Sequence, residues 1–158
     1  MNYRLGQVCG HGKINAICPL KKSDSHILIA SDDQYVLYDL KSQAIIDVIA
    51  YKKKSQQIPT LIDVSHDDLF SIEASLNAVT LRSLKSKQAL AKYEGHQHSV
   101  SSLSFASSSY VFITAAGNEC LLWNPRELIK SASSLTVAIT EISQPDKMLD
   151  VASSDQIT

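Results

Sequence analysis

Short runs of alternating or wholly apolar residues recur along the chain, separated by polar breaks rich in Ser, Asn, Asp and Gly. "VSSLSF" at 100–105, "YVFITA" at 110–115 and "ECLLW" at 119–123 show the pattern. A period of two with branched and aromatic residues marks half-buried strands, not helices. The pattern predicts strands at 14–18, 26–30, 34–39 and 45–50, then at 60–64, 69–73, 78–83 and 89–94. A third set follows at 100–105, 110–115, 119–124 and 135–140. "LIKSASS", at 128–134, has room for a helical turn but lacks the length of a stable helix.

The three sets hold a common phase. Gly10-His11 stands before the first and Gly95-His96 before the third. From His11 to Tyr38 is 27 residues, and from His96 to Trp123 is again 27. "VTLRSLKSKQA" aligns with "YVLYDLKSQA" when Arg82 lies under Tyr38, so Tyr38, Arg82 and Trp123 follow at intervals of 44 and 41. Asp33, Asn77 and Asn118 each lie five residues before these positions, where a tight turn is needed. The chain is therefore read as all-β, built from a repeat of about 40–45 residues.

Four-stranded units of this length, with Gly-His near the start and Trp-Asp near the end, resemble WD repeats, which build β-propellers. Here the pairs are Gly10-His11 with Tyr38-Asp39, and Gly95-His96 with Trp123-Asn124. The resemblance implies about three four-stranded antiparallel blades, at 10–51, 52–94 and 95–141. Segments 3–9 and 147–153 read as the outermost and innermost strands of incomplete flanking blades. WD propellers usually close with about seven blades, so the arc is read as part of a larger propeller. Its free flanks are expected to be association-prone.

The resemblance also implies a buried network in each blade, from the Gly-His imidazole to a turn carboxylate and through a hydroxyl to the indole. By position, the first blade offers His11, Ser31, Asp32 and Tyr38. The third offers His96, Thr114 and Trp123, with Asn118 or Glu119 as the turn partner. The middle copy has Lys54-Ser55 and Arg82-Ser83 at the key pairs. It is expected to lack the network and to be the weakest blade, with Arg82 exposed and worth less than about 1 kcal/mol.

Composition narrows the function. With 158 residues, a formal charge of −1 and 44% hydrophobic residues, the chain has a real core and no strong field for nucleic acid or membrane. "MNYRLGQVCGHG" has no apolar run and does not read as a signal peptide. Cys9, Cys18 and Cys120 lack metal-ligand spacing and suit reduced thiols of cytoplasm or nucleus.

His96 and His98 share a strand face, but no acidic or thiol ligand follows at metal spacing. Asp32-Asp33, Asp63, Asp67-Asp68 and Asp150 are read as turn residues, not an acid–base pair. No nucleophile elbow or phosphate loop is present, so no catalysis, metal or cofactor is expected. The basic clusters Lys52, Lys53, Lys54 and Lys85, Lys87 are candidate RNA contacts, though no aromatics interleave them.

Within the WD family, the third copy and its continuation "PRELIKSASSLTVAITEISQPDKMLDVASSDQ" are similar to a WD-repeat subunit of the UtpA subcomplex of the small-subunit processome. That resemblance implies a nucleolar scaffold for ribosome biogenesis, partnered by other WD-repeat subunits. The alternative is a generic WD adaptor, such as a ubiquitin-ligase receptor or coat subunit, in the cytoplasm.

Overall fold

A computed structural model describes residues 12–32, 34–50, 58–132 and 140–142. Three antiparallel sheets follow one another along the chain. The first runs β1 (Ile14–Pro19), β2 (His26–Ser31), β3 (Gln34–Asp39), β4 (Ala44–Ala50), each strand paired with the next. The second repeats this order with β5 (Leu61–Val64), β6 (Phe70–Ser75), β7 (Ala78–Ser83) and β8 (Ala89–Glu94). The third contains β9 (Val100–Phe105), β10 (Phe112–Ala116) and β11 (Glu119–Trp123). The sheets are blades, and their innermost strands β1, β5 and β9 lie side by side.

The repeat phase survives in the register. A bulge falls between Leu37 and Tyr38 in the β3–β4 pairing and between Leu81 and Arg82 in the β7–β8 pairing. Tyr38 faces Ile27, Arg82 faces Ser71 and Trp123 faces Phe112. Arg82 therefore occupies the aromatic position, as the sequence alignment requires.

Alternation lets a blade bury both faces where it has a neighbour on each side, as the second does. In β6, Phe70, Ile72 and Ala74 join the cluster with Val100, Phe105, Phe112 and Trp123 of the third blade. In β2, Leu28 and Ala30 pack with Val64 of the second. Side chains as deeply buried as Ile72, Val79 and Leu81 contribute roughly 1.5–3 kcal/mol each.

One expectation changes. The segment after β11 folds as a helix, α1 (Arg126–Ala132). Asn124 Oδ1 accepts from the Arg126 N–H at its start, and Ile129 is anchored in the large core cluster. Packing supplies what length does not. Of the strand expected at 135–140, only Thr140 is among the described residues, at the start of a strand. Residues 135–139 lie outside the described residues, and β12 (Thr140–Ile142) pairs parallel with β8. Segments 3–9 and 147–153 also lie outside them.

The β10–β11 turn places Gly117 at φ 59°, where an added Cβ would meet His98 Cδ2 at 2.7 Å. The corresponding turn of the second blade holds Leu76 at φ 53°. Gly117→Ala is expected to cost about 1–2 kcal/mol from left-handed strain. A thermal melt lowered by about 2–8 °C checks this, and an unchanged melt would refute it.

Candidate functional site

The third blade assembles the predicted network completely. His96 arrives on the loop entering β9, Thr114 sits on β10, and Glu119 and Trp123 bracket β11. Trp123 Nε1 donates to Thr114 Oγ1 at 2.8 Å, and Thr114 Oγ1 lies 2.7 Å from His96 Nε2. His96 Nδ1 is 3.0 Å from Glu119 Oε1, which also accepts from the Gln97 N–H. An indole nitrogen only donates, so Thr114 Oγ1 accepts its hydrogen while bonding His96 Nε2. The Glu119 carboxylate only accepts, so Nδ1–H donates to it. Glu119, not Asn118, is the turn partner. His98 packs its ring on Gly117.

The hydrogen bond from His96 holds the Glu119 carboxyl below its usual range. Asp67 resists its own desolvation and is also held low, by hydrogen bonds from Ser65 and Tyr110. The same bond pushes the Tyr110 hydroxyl up to about 12. Carboxylates lowered in the fold stabilise above their unfolded values, and this contribution disappears as pH falls below about 4. A phenol raised in the fold stabilises below about 10, and its contribution disappears as pH climbs above that. The urea midpoint is thus expected to fall at both extremes, with Tyr110→Phe reducing the alkaline loss. A midpoint flat from acid to neutral would contradict the sign.

The first blade is assembled differently. Ile29, nine residues before Tyr38, holds the place of Thr114, so Tyr38 packs against Ile27, Ile29 and Val36. Ser31 Oγ donates to the Gln34 carbonyl in the turn. Asp32 accepts from the Lys13 N–H and from Asn15 Nδ2, tying the turn to the start of β1. His11 and Asp33 lie outside the described residues.

The middle blade corrects the expectation that Arg82 is exposed and that this blade lacks a network. Arg82 is 8% exposed and Glu73 6%. Arg82 Nε and Nη2 donate to the two Glu73 carboxylate oxygens at 2.7 and 3.3 Å, while Nη1 donates to the Lys87 carbonyl. Ser71 Oγ adds a bond to Glu73 Oε1, and the guanidinium stands 5.6 Å from the Tyr35 ring of the first blade. Glu73 precedes Arg82 by the nine residues that separate Thr114 from Trp123. A buried arginine needs an ion partner, and this interval was the signal for it.

Several aspartates read as turn residues in fact join blades. Asp63 on β5 accepts from Lys21 Nζ and faces Cys18 Sγ in the first blade, and accepts from the Phe105 N–H of the third at 2.6 Å. Asp68 receives the Lys21 and Lys22 N–H groups, and Asp67 the Tyr110 hydroxyl. Burial, with Asp63 alongside, pushes the Cys18 thiol up to about 11, making it a poor nucleophile.

Among the described residues no three His, Cys, Asp or Glu side chains gather as a metal site, and no helix is long and apolar enough to cross a membrane. Lys85 is exposed, Lys87 pairs with Asp47 at 2.6 Å, and Lys52, Lys53 and Lys54 lie outside the described residues.

Residues 87–124, from the turn before β8 to the residue after β11, match the family model described as WD domain, G-beta repeat. Pre-mRNA-processing factor 19 homolog 2 of Arabidopsis thaliana is 27% identical over 128 residues, covering 78% of this chain and 24% of that protein. Among solved structures, the WD40 repeats of RRP9 superpose with a TM-score of 0.63 at 21% identity, over 75% of this chain and 38% of that one. U3-55K gives 0.63 at 20%, with the same coverage. The chain thus spans about a quarter of the curated relative and under two-fifths of each structure, and the structural likeness is one of fold.

Proposed function

We propose that this chain, whose sheets are consecutive WD-type propeller blades, is a non-catalytic protein-interaction scaffold. One observation carries the reading. The polar residues that recur in the repeats point inward and are consumed by one another, as in the Trp123–Thr114–His96–Glu119 chain and the Arg82–Glu73 pair. Groups held this way fix the register of short strands, leaving loops and sheet flanks for recognition.

The finer reading is a subunit of the small-subunit processome, acting in the nucleolus with other WD-repeat proteins. It is supported by the resemblance of the third repeat and its continuation. Direct RNA contact would run through Lys52, Lys53, Lys54 and Lys85, with Lys87 already engaged by Asp47.

Purification of the tagged protein should recover pre-ribosomal RNA and further WD-repeat subunits, and imaging should place it in nucleoli. Recovery of ubiquitin-ligase or coat subunits from cytoplasm would favour the generic adaptor instead. Charge reversal at Lys52, Lys53, Lys54 and Lys85 should weaken RNA retention and flatten its salt dependence. Unchanged retention would remove RNA from the proposal.

A further inference from the structure

The first two blades end in outer strands, β4 and β8, that carry different chemistry on the same backbone edge. The Leu40 N–H bonds the Ser25 carbonyl, so even-numbered amides of β3 turn toward β2 and odd-numbered ones toward β4. Leu37 and Tyr35 then face the inward amides of Asp47 and Ile49, which leaves the Val48 N–H and carbonyl on the outer edge. In the second blade the Ser83 N–H bonds the Gln88 carbonyl, and the same alternation turns Ala91 and Tyr93 to β7 and Lys92 outward. Lys92 follows Val48 by 44 residues, the interval from Tyr38 to Arg82.

At Lys92 the edge is taken, because β12 runs beside it with Glu141 opposite. At Val48 the edge is closed from within. The Val48 N–H donates to Asp47 Oδ1 at 2.8 Å, and Lys87 Nζ of the second blade reaches the same oxygen at 2.6 Å. Lys87 sits at φ 63° in the β7–β8 turn, and its carbonyl accepts from the buried Arg82. Its hydrogen bond holds the Asp47 carboxyl below the usual range, so the carboxylate keeps its charge. Ala91 stands in the second blade where Asp47 stands in the first, and it offers no acceptor.

Little else protects this edge. Among the described residues no strand pairs with it, and Ile45, Ile46 and Val48 are 47%, 49% and 39% exposed. Exposed edges are usually blunted by Lys, Pro or a bulge. The β4 bulge lies toward the start of the strand, and Asp47 is the one charge in "AIIDVIA", at 44–50.

We propose that Asp47, held by Lys87, is an edge guard that keeps the first blade from adding the β4 strand of a second copy of this chain. A second β4 is the natural occupant, because Val48 can lie on a two-fold axis and exchange both its bonds with itself. The flanking residues then meet apolar partners throughout, except that Asp47 falls opposite Ile49. Pairing would strip the Val48 N–H from the carboxylate and set that charge against an isoleucine.

Sedimentation equilibrium of the full chain tests the guard. Asp47→Ala should dimerise about tenfold more tightly than the unaltered chain, since two Val48 amides lose their internal acceptor. Adding Val48→Pro removes the outward donor without touching the β3 ladder, and should return association to the unaltered level. A second measurement reads the register even if other surfaces also associate. Under mild copper–phenanthroline oxidation, Val48→Cys chains should form a 48–48 link about ten times more abundantly when Asp47 is also changed to Ala. Peptide mapping separates this link from any through Cys9, Cys18 or Cys120. Unchanged association of Asp47→Ala, no reversal by proline, or a 48–48 yield indifferent to residue 47 would each overturn the proposal. These readouts need no binding partner, so they stand apart from the scaffold reading.

Discussion

Trp123→Ala is expected to lower the unfolding free energy by about 3–5 kcal/mol, as the loss of a fully packed large aromatic does. The ring is enclosed by Tyr93, 5.1 Å between centroids, and by the stacked Phe112 at 6.2 Å. Its removal opens a cavity in the cluster that joins the second and third blades. It also deprives Thr114 Oγ1 of its donor. Trp123→Phe keeps much of the apolar volume and loses the indole N–H, so a smaller loss of about 1–3 kcal/mol should follow. Urea titrations of both variants decide the matter. A Trp123→Ala loss below about 1 kcal/mol would mean the blade interior is not built around this residue.

Arg82→Ala is expected to be comparably damaging, at about 3–5 kcal/mol, because it strands the Glu73 carboxylate in the interior. Two guanidinium nitrogens sit on two carboxylate oxygens, between side chains under a tenth exposed. Removing both charges together should behave differently. An Arg82→Met, Glu73→Leu double variant replaces the pair by apolar side chains of similar reach, and most of the lost stability should return. A double variant as unstable as the single one would show that hydrogen bonds to the Lys87 carbonyl and Ser71, not charge compensation, dominate. A loss below about 1 kcal/mol for Arg82→Ala would restore the picture of an exposed arginine.

The strands were legible in the sequence because alternation is a local signal. β3, β7, β8 and β9 begin and end where the pattern places them. The alignment of Tyr38, Arg82 and Trp123 was legible for the same reason, since a constant interval needs no knowledge of packing. What the residues do there was not. Arg82 looks like a surface residue until Glu73, on the neighbouring strand, is brought to within 2.7 Å. Ser31 seemed the hydroxyl partner of Tyr38, but strand pairing sets Ile29 at that place. α1 escaped the pattern because its stability comes from Ile129 reaching a core assembled elsewhere. The aspartates at 63 and 68 have turn-like neighbours in sequence, and only the stacking of blades supplies their partners.

The position of Asp63 bears on the order in which the arc comes apart. In a linear stack of repeats, each unit is held by its own folding free energy and by its contacts with neighbours. The second blade has neighbours on both sides, and Asp63 reaches both from one carboxylate, through Lys21 and the Phe105 N–H. Opening that joint on either side leaves a partly buried charge short of donors, so neither neighbour separates without weakening the grip on the other. The two joints of the second blade should therefore open together. The amides of β5 and β6 should be the last of the three blades to exchange with solvent, which makes the middle blade, the one without Gly-His or an aromatic at position 82, the kinetic keystone of the described arc.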